Sequence, residues 1–222
     1  NVTPNQAVAP DGNTTADLIL TDNSANYHYI QQTGATATTV SNSVYVKPYN
    51  ARYVVLEIVD NATYVNGGFA VYDIQLGRVT TYGNVGTGTG TFANIQVFNN
   101  GWMRLSITTT QASSVLTRTR ILFSDSPSGA TSFQSGSLGA YFWGAQSEGG
   151  SITLSYIPTT TTAAARSSDD VIYFTPSNNV TTYNNDFTYY VAGSLGVRSS
   201  STTQRIGGPH ASLGGGDNNN RI

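Results

Sequence analysis

The chain has 222 residues, of which only 10% are charged, and a formal net charge of −2. That length holds one β-sandwich, or one sandwich with a small extra module, and a surface of Ser, Thr, Asn and Gly has too little long-range field to attract DNA, RNA or an anionic membrane. Cysteine is absent, which excludes disulfides, thiolate metal sites and a Cys nucleophile, and no run approaches the ~18 apolar residues of a membrane span.

Along the chain, Ser43-Val44-Tyr45-Val46-Lys47 reads as a strand that ends at Pro48, because proline cannot donate to a ladder. Tyr53-Val54-Val55-Leu56-Glu57-Ile58-Val59-Asp60 is apolar on both faces, as an inner strand is. The turn signal Asn66-Gly67-Gly68 precedes a strand over 69–74. Gly86-Thr87-Gly88-Thr89-Gly90 predicts a flexible connection into a strand over 92–98. Asn99-Asn100-Gly101 then turns the chain into 102–107, where Trp102, Arg104 and Ser106 share one face and Met103, Leu105 and Ile107 the other, a half-buried strand. Further strands are expected at 120–123, 139–146 and 151–156. Helical periodicity is missing, and short strands with Gly and Asn between them predict an all-β fold, an antiparallel β-sandwich.

After Pro158 the low-complexity run Thr159-Thr160-Thr161-Thr162-Ala163-Ala164-Ala165-Arg166 reads as a linker. The expected organisation is a sandwich over 1–166. Residues 167–222 then hold a linker and a partial second β module, with strands at 170–174 and 187–191 and a flexible C-terminal end. Because Met103 is the only methionine and the chain starts at Asn1, it is expected to be a processed piece of something longer.

The chemistry-bearing residues point away from catalysis. A glycosidase needs two carboxylates facing each other. Here Asp11, Asp17, Asp22, Asp73, Asp125, Glu148, Asp169, Asp170, Asp186 and Asp217 stand mostly in turn contexts, and Glu57 and Asp60, three apart on one strand, point to opposite faces. His28 and His210 are the only imidazoles, and neither accompanies a nucleophile elbow or enough ligands for zinc. His28 is expected as a plain strand residue with one ring nitrogen satisfied. No cofactor is indicated; calcium, held by oxygen ligands, is the one ion so Asn-rich a chain leaves open. Sugar rings stack on aromatic faces, and the chain has 14 Tyr and 2 Trp. Trp102 and Trp143 are expected inside the sandwich core, whereas Tyr64 and Tyr82, beside Asn66-Gly67-Gly68 and Gly83-Asn84, are the candidate carbohydrate-binding residues, on exposed loops.

Six segments in order carry a resemblance. They are Ala9-Pro10-Asp11-Gly12-Asn13-Thr14-Thr15-Ala16-Asp17, Ser43-Val44-Tyr45-Val46-Lys47, Tyr72-Asp73-Ile74 before Gly77, Gly101-Trp102-Met103-Arg104-Leu105, Tyr141-Phe142-Trp143-Gly144-Ala145-Gln146 and Ser155-Tyr156-Ile157-Pro158-Thr159. Together they resemble a concanavalin A-like lectin/glucanase module, a carbohydrate-binding-like jelly roll found in phage tail-fibre and other virion proteins. That module usually starts with an extra strand upstream of its Ala-Pro-Asp-Gly turn, where this chain has only eight residues, and it continues into a second β module. The resemblance implies a structural and receptor-binding component of a bacteriophage virion, such as a tail fibre or appendage, located on the extracellular particle. Its expected partners are other virion proteins, further copies of the chain in a homo-oligomer such as a trimer, and a host-surface glycan, with no nucleic acid and no membrane insertion. The alternatives are a purely architectural virion part, such as a head decoration or tail adaptor protein, and a carbohydrate-binding module of a secreted polysaccharide-degrading enzyme.

Overall fold

The β-branched residues and tyrosines that dominate the apolar set crowd a helix but pack well on a pleated surface, and the chain folds accordingly. The computed structural model describes residues 1–134, 136–159 and 162–164, which belong to one unit, Asn1–Ala165. Among the described residues there are eleven strands: β1 (Val2–Val8), β2 (Thr14–Leu20), β3 (Asn26–Tyr27), β4 (Tyr29–Pro48), β5 (Tyr53–Asp60), β6 (Gly67–Asp73), β7 (Arg78–Val85), β8 (Thr89–Val97), β9 (Met103–Ser124), β10 (Ser132–Phe133) and β11 (Gly139–Gly149). Nine of them make one antiparallel sheet in the order β1-β2-β11-β4-β9-β5-β6-β7, with β8 on β9, while β3 and β10 pair separately.

Two long strands fold this sheet over on itself. β4 has 20 residues and β9 has 22; Tyr29 to Ala37 pair with Leu122 to Val115, and Thr39 to Val46 pair with Thr110 to Met103. The register breaks between Thr33 and Thr36 and between Ala37 and Thr39, and such irregularities bend a strand. β5 joins the second half of β9, whereas β8 joins its first half and β11 joins the second half of β4. The two halves face each other across one core. Val44, Leu105 and Phe142 from one layer and Leu56, Tyr72 and Phe123 from the other belong to the same buried cluster. Rings of Phe123 and Phe142 lie 5.9 Å apart across it. Two hydrogen bonds also cross: the Tyr72 hydroxyl donates to the Ser106 carbonyl at 2.6 Å, and Asn42 Nδ2 donates to Thr119 Oγ1 at 2.6 Å. The expected antiparallel sandwich is therefore what the residues build, with Met103, Leu105 and Ile107 buried and Arg104 and Ser106 only half-buried, as their alternation predicts.

Several local expectations are corrected. Residues 103–107 and 120–123 are parts of one strand, because the Thr-rich stretch between them continues the ladder. Residues 151–156 form no strand. The segment crosses the outer face of β4, β9 and β11, and side chains rather than a ladder take its main-chain groups. The segment 86–90 is a packed turn and not a loose connection: Thr87 N donates to Asn66 Oδ1 at 3.0 Å, and a Cβ on Gly88 would sit 1.9 Å from the Gly67 carbonyl oxygen. Strands β1, β2 and β7 and the first half of β4 were not anticipated; β1 supplies an outer strand within the eight residues before Ala9. Trp102 precedes β9 instead of lying in it, and it is buried in a second cluster with Ala9 and Ala16, its Nε1 donating to the Val8 carbonyl at 3.1 Å. Trp143 is half-buried beside that cluster and not in the main core. The strands expected at 170–174 and 187–191, the module at 167–222, and His210, Asp169, Asp170, Asp186 and Asp217 lie outside the described residues.

Candidate functional site

Tyr64 stands in the turn between β5 and β6, and the turn is built by one carboxylate. Asp60 Oδ1 accepts from Ala62 N at 3.1 Å, Thr63 N at 2.6 Å and Thr63 Oγ1 at 2.9 Å, and Asp60 Oδ2 accepts from Asn66 N at 3.1 Å. Burial by itself would raise the Asp60 carboxyl, but the Thr63 backbone and hydroxyl and the Asn66 backbone outweigh it and hold its pKa at about 2. The turn puts Tyr64 at φ 61°, the left-handed region that a bulky side chain rarely enters. Its ring is 40% exposed and lies 5.0 Å from Arg118 Cζ and 5.9 Å from Arg120 Cζ.

The two arginines come from one face of β9. Arg120 pairs with Glu57 at 2.8 Å; burial pushes the Glu57 carboxyl up, against the opposing pull of Arg120. Arg118 Nε and Nη2 donate to the neutral Asn61 Oδ1 at 2.9 and 2.7 Å, and no ion pair reaches Arg118 among the described residues. The sequence held a signal for this pair that went unread: in Thr117-Arg118-Thr119-Arg120 a strand's period of two puts both arginines on one side.

Tyr82 is on strand β7 and not on a loop. It is 47% exposed and packs edge-on against Phe92 of β8, which is 60% exposed, with centroids 6.3 Å apart. Phe92 was not among the expected site residues, because only the folding that sets β8, paired with β9, beside β7, paired with β6, reveals it. Asn84 Oδ1 accepts from Thr91 N at 3.2 Å and ties the two strands. Beyond Arg78, neither β7 nor β8 carries a charged residue, so this aromatic pair has a neutral amide and hydroxyl border. No ring contact joins Tyr64 to Tyr82 among the described residues. The turn of Tyr64 is linked by Asn66 to Thr87, five residues past Tyr82 and so at most ~18 Å of chain from it.

A third aromatic group lies on the outer face of the other layer. Tyr45 and Trp143 pack at 5.4 Å, Trp143 and Tyr156 at 4.6 Å, and Tyr45 and Phe98 at 6.0 Å. The segment 150–157 lies over this face and is held by its main chain. Arg104 Nη2 donates to the Leu154 carbonyl, and Leu154 N donates to Glu148 Oε2 at 3.0 Å. Gln146 takes both Ser155 O at 3.3 Å and Ile157 N at 2.8 Å, and Ser41 Oγ donates to Gly150 O at 2.8 Å.

The described carboxylates with hydrogen-bond partners serve local architecture. Asp73 Oδ2 accepts from Arg52 Nε at 3.0 Å while its Oδ1 closes the following turn through Gln75 N and Leu76 N. Asp11 bonds Asn13, Asp22 bonds Ser24, and Asp17 accepts from Asn5 N. Glu57 and Asp60 diverge, one to Arg120 and one into its turn. His28 falls between β3 and β4 and is buried, with Nε2 3.2 Å from the Phe133 carbonyl and Nδ1 3.5 Å from Asp22 Oδ1, so acceptors flank both ring nitrogens. Among the described residues no three His, Asp or Glu side chains converge as a metal site would require. No protein-family model matches the chain, and no curated protein matches it.

Proposed function

We propose that this protein is a recognition module of a bacteriophage virion, carried on a tail fibre or similar extracellular appendage, which meets a host-surface glycan through exposed aromatic rings. The observation that carries this reading is the Tyr82–Phe92 pair. Two side chains about half open to solvent, bordered by neutral amides and hydroxyls, offer an apolar stacking surface and hydrogen-bond partners suited to a sugar. The order of the six motif segments supports the virion setting and the concanavalin A-like jelly-roll relationship. Other virion proteins and further copies of the chain, in a trimer, are the partners this reading assigns to the remaining surface, and it assigns no bond-breaking step to any residue.

The test is a glycan array and a host-cell binding assay with the full chain, repeated for Tyr82→Ala combined with Phe92→Ala. Binding of neutral glycans by the wild type that the double variant loses, with little change between low and high salt, is the expected result. A chain that binds neither sugars nor cells is an architectural virion part instead.

A further inference from the structure

We propose that Tyr64, Arg118 and Arg120 form a second subsite, specific for a carboxylate-bearing sugar ring. The proposal rests on the glycan-recognition reading above and assigns the sugar class.

The backbone at Tyr64 is strained. At φ 61° an Asn or Gly would be relaxed, and a tyrosine costs ~1–2 kcal/mol. Asp60 overrides that preference by binding Ala62 N, Thr63 N and Asn66 N at once. The ring at residue 64 fills no buried apolar cluster. What the tyrosine provides is an exposed aromatic face fixed against two guanidinium groups.

Glu57 neutralises Arg120, and the Asp60 oxygens are occupied by the turn. Arg118 meets only the neutral Asn61 oxygen, which uses Nε and Nη2 and leaves Nη1 with no hydrogen-bond partner among the described residues. Arg118 therefore stands beside an open ring with no ion-pair partner among the described residues, in a chain with 10 Lys and Arg in all. A planar guanidinium binds a carboxylate in a two-point fork, while the C–H face of the same sugar ring stacks on Tyr64. A neutral sugar would use the ring and leave the charge unanswered.

The experiment is an array of uronate- and sialate-bearing oligosaccharides, each printed beside its carboxyl-reduced counterpart, probed with the full chain and its variants. The wild type should prefer the acidic member of at least one pair by ~10-fold at low salt, and most of that preference should vanish when salt rises to ~0.2 M. Arg118→Gln and Tyr64→Asn should each remove the preference, and Tyr82→Ala should keep it. Because Asn accepts the left-handed backbone, loss in Tyr64→Asn with an unchanged melting temperature reports recognition and not misfolding. Acidic and reduced sugars binding equally through Tyr82 would overturn this subsite while leaving the glycan reading intact. An Arg118→Gln variant that keeps the preference would overturn it too, and no binding to any saccharide would overturn both.

Discussion

Replacing Asp60 with Asn tests whether one carboxylate builds the turn that presents Tyr64. The amide keeps the shape but turns one acceptor oxygen into a donor facing Thr63 Oγ1 and the Asn66 backbone N–H. The folded carboxyl has a pKa of about 2; against an unfolded value of ~3.9 that gap corresponds to ~2.5 kcal/mol. The residue is 7% exposed, yet its turn borders solvent, and screening there reduces the figure to ~1.5 kcal/mol. For a unit of this size that is a melting temperature lower by ~3–6 °C at pH 7. Since the folded pKa lies below the unfolded one, the carboxylate's contribution is complete above the unfolded value and disappears as pH falls through ~4 towards ~2. Glu57, whose folded pKa is raised, contributes with the opposite sign, but both proteins retain it and it cancels. Urea unfolding of wild type and Asp60→Asn at pH 7, 4, 3 and 2.5 should show a gap that closes with acid. A gap that stays constant over that series refutes the assignment.

Three further outcomes follow from contacts elsewhere in the sandwich. Gly67→Ala places a Cβ 1.9 Å from the Ile58 carbonyl oxygen at φ 149°, and a loss beyond ~4 kcal/mol, visible as failure to refold after urea, is expected. Tyr72→Phe removes the hydroxyl that crosses the core to the Ser106 carbonyl and should cost ~1–2 kcal/mol by urea titration, with a similar far-UV spectrum. Arg104→Ala frees the Leu154 carbonyl, so the amides of Leu154 and Ile157 should exchange ~10-fold faster with deuterium while those of β9 stay protected.

The layer architecture was legible because burial imposes alternation. Val54, Leu56 and Ile58 and their alternates Tyr53 and Val55 are all buried, as the run Tyr53-Val54-Val55-Leu56, apolar on both faces, indicates. Polar strands were not legible on the same grounds. The first half of β4 and the middle of β9 are rich in Thr, Gln and Ser and are mostly exposed or half-buried; the buried Thr117 hydroxyl among them bonds the Ala35 carbonyl, so no hydrophobic period marks them. The segment 151–156 failed for the reverse reason. Its Ile152, Leu154 and Tyr156 alternate like a strand, but the neighbouring edges are already paired, and Gln146, Glu148 and Arg104 satisfy its backbone from below.

The same distinction separates what could be read of the aromatic site from what could not. Glycine and asparagine near Tyr64 signal its exposure, because turn chemistry is local; Tyr82 is exposed as well, although its Gly83-Asn84 lie within β7 and not in a turn. Phe92 and the two arginines are brought to those tyrosines by pairings across 10 residues in one case and more than 50 in the other, which only the assembled sheet determines. The strain at Tyr64 was hidden for a deeper reason. Local preference would fill a left-handed slot with Asn or Gly, so the tyrosine becomes anomalous only when its φ is known. A carboxylate engaged by three backbone N–H groups holds that departure in place, and the ring so fixed packs against Arg118 and Arg120. Under the carboxylate-recognition proposal, that placement is what sets a rigid ring beside the Arg118 guanidinium.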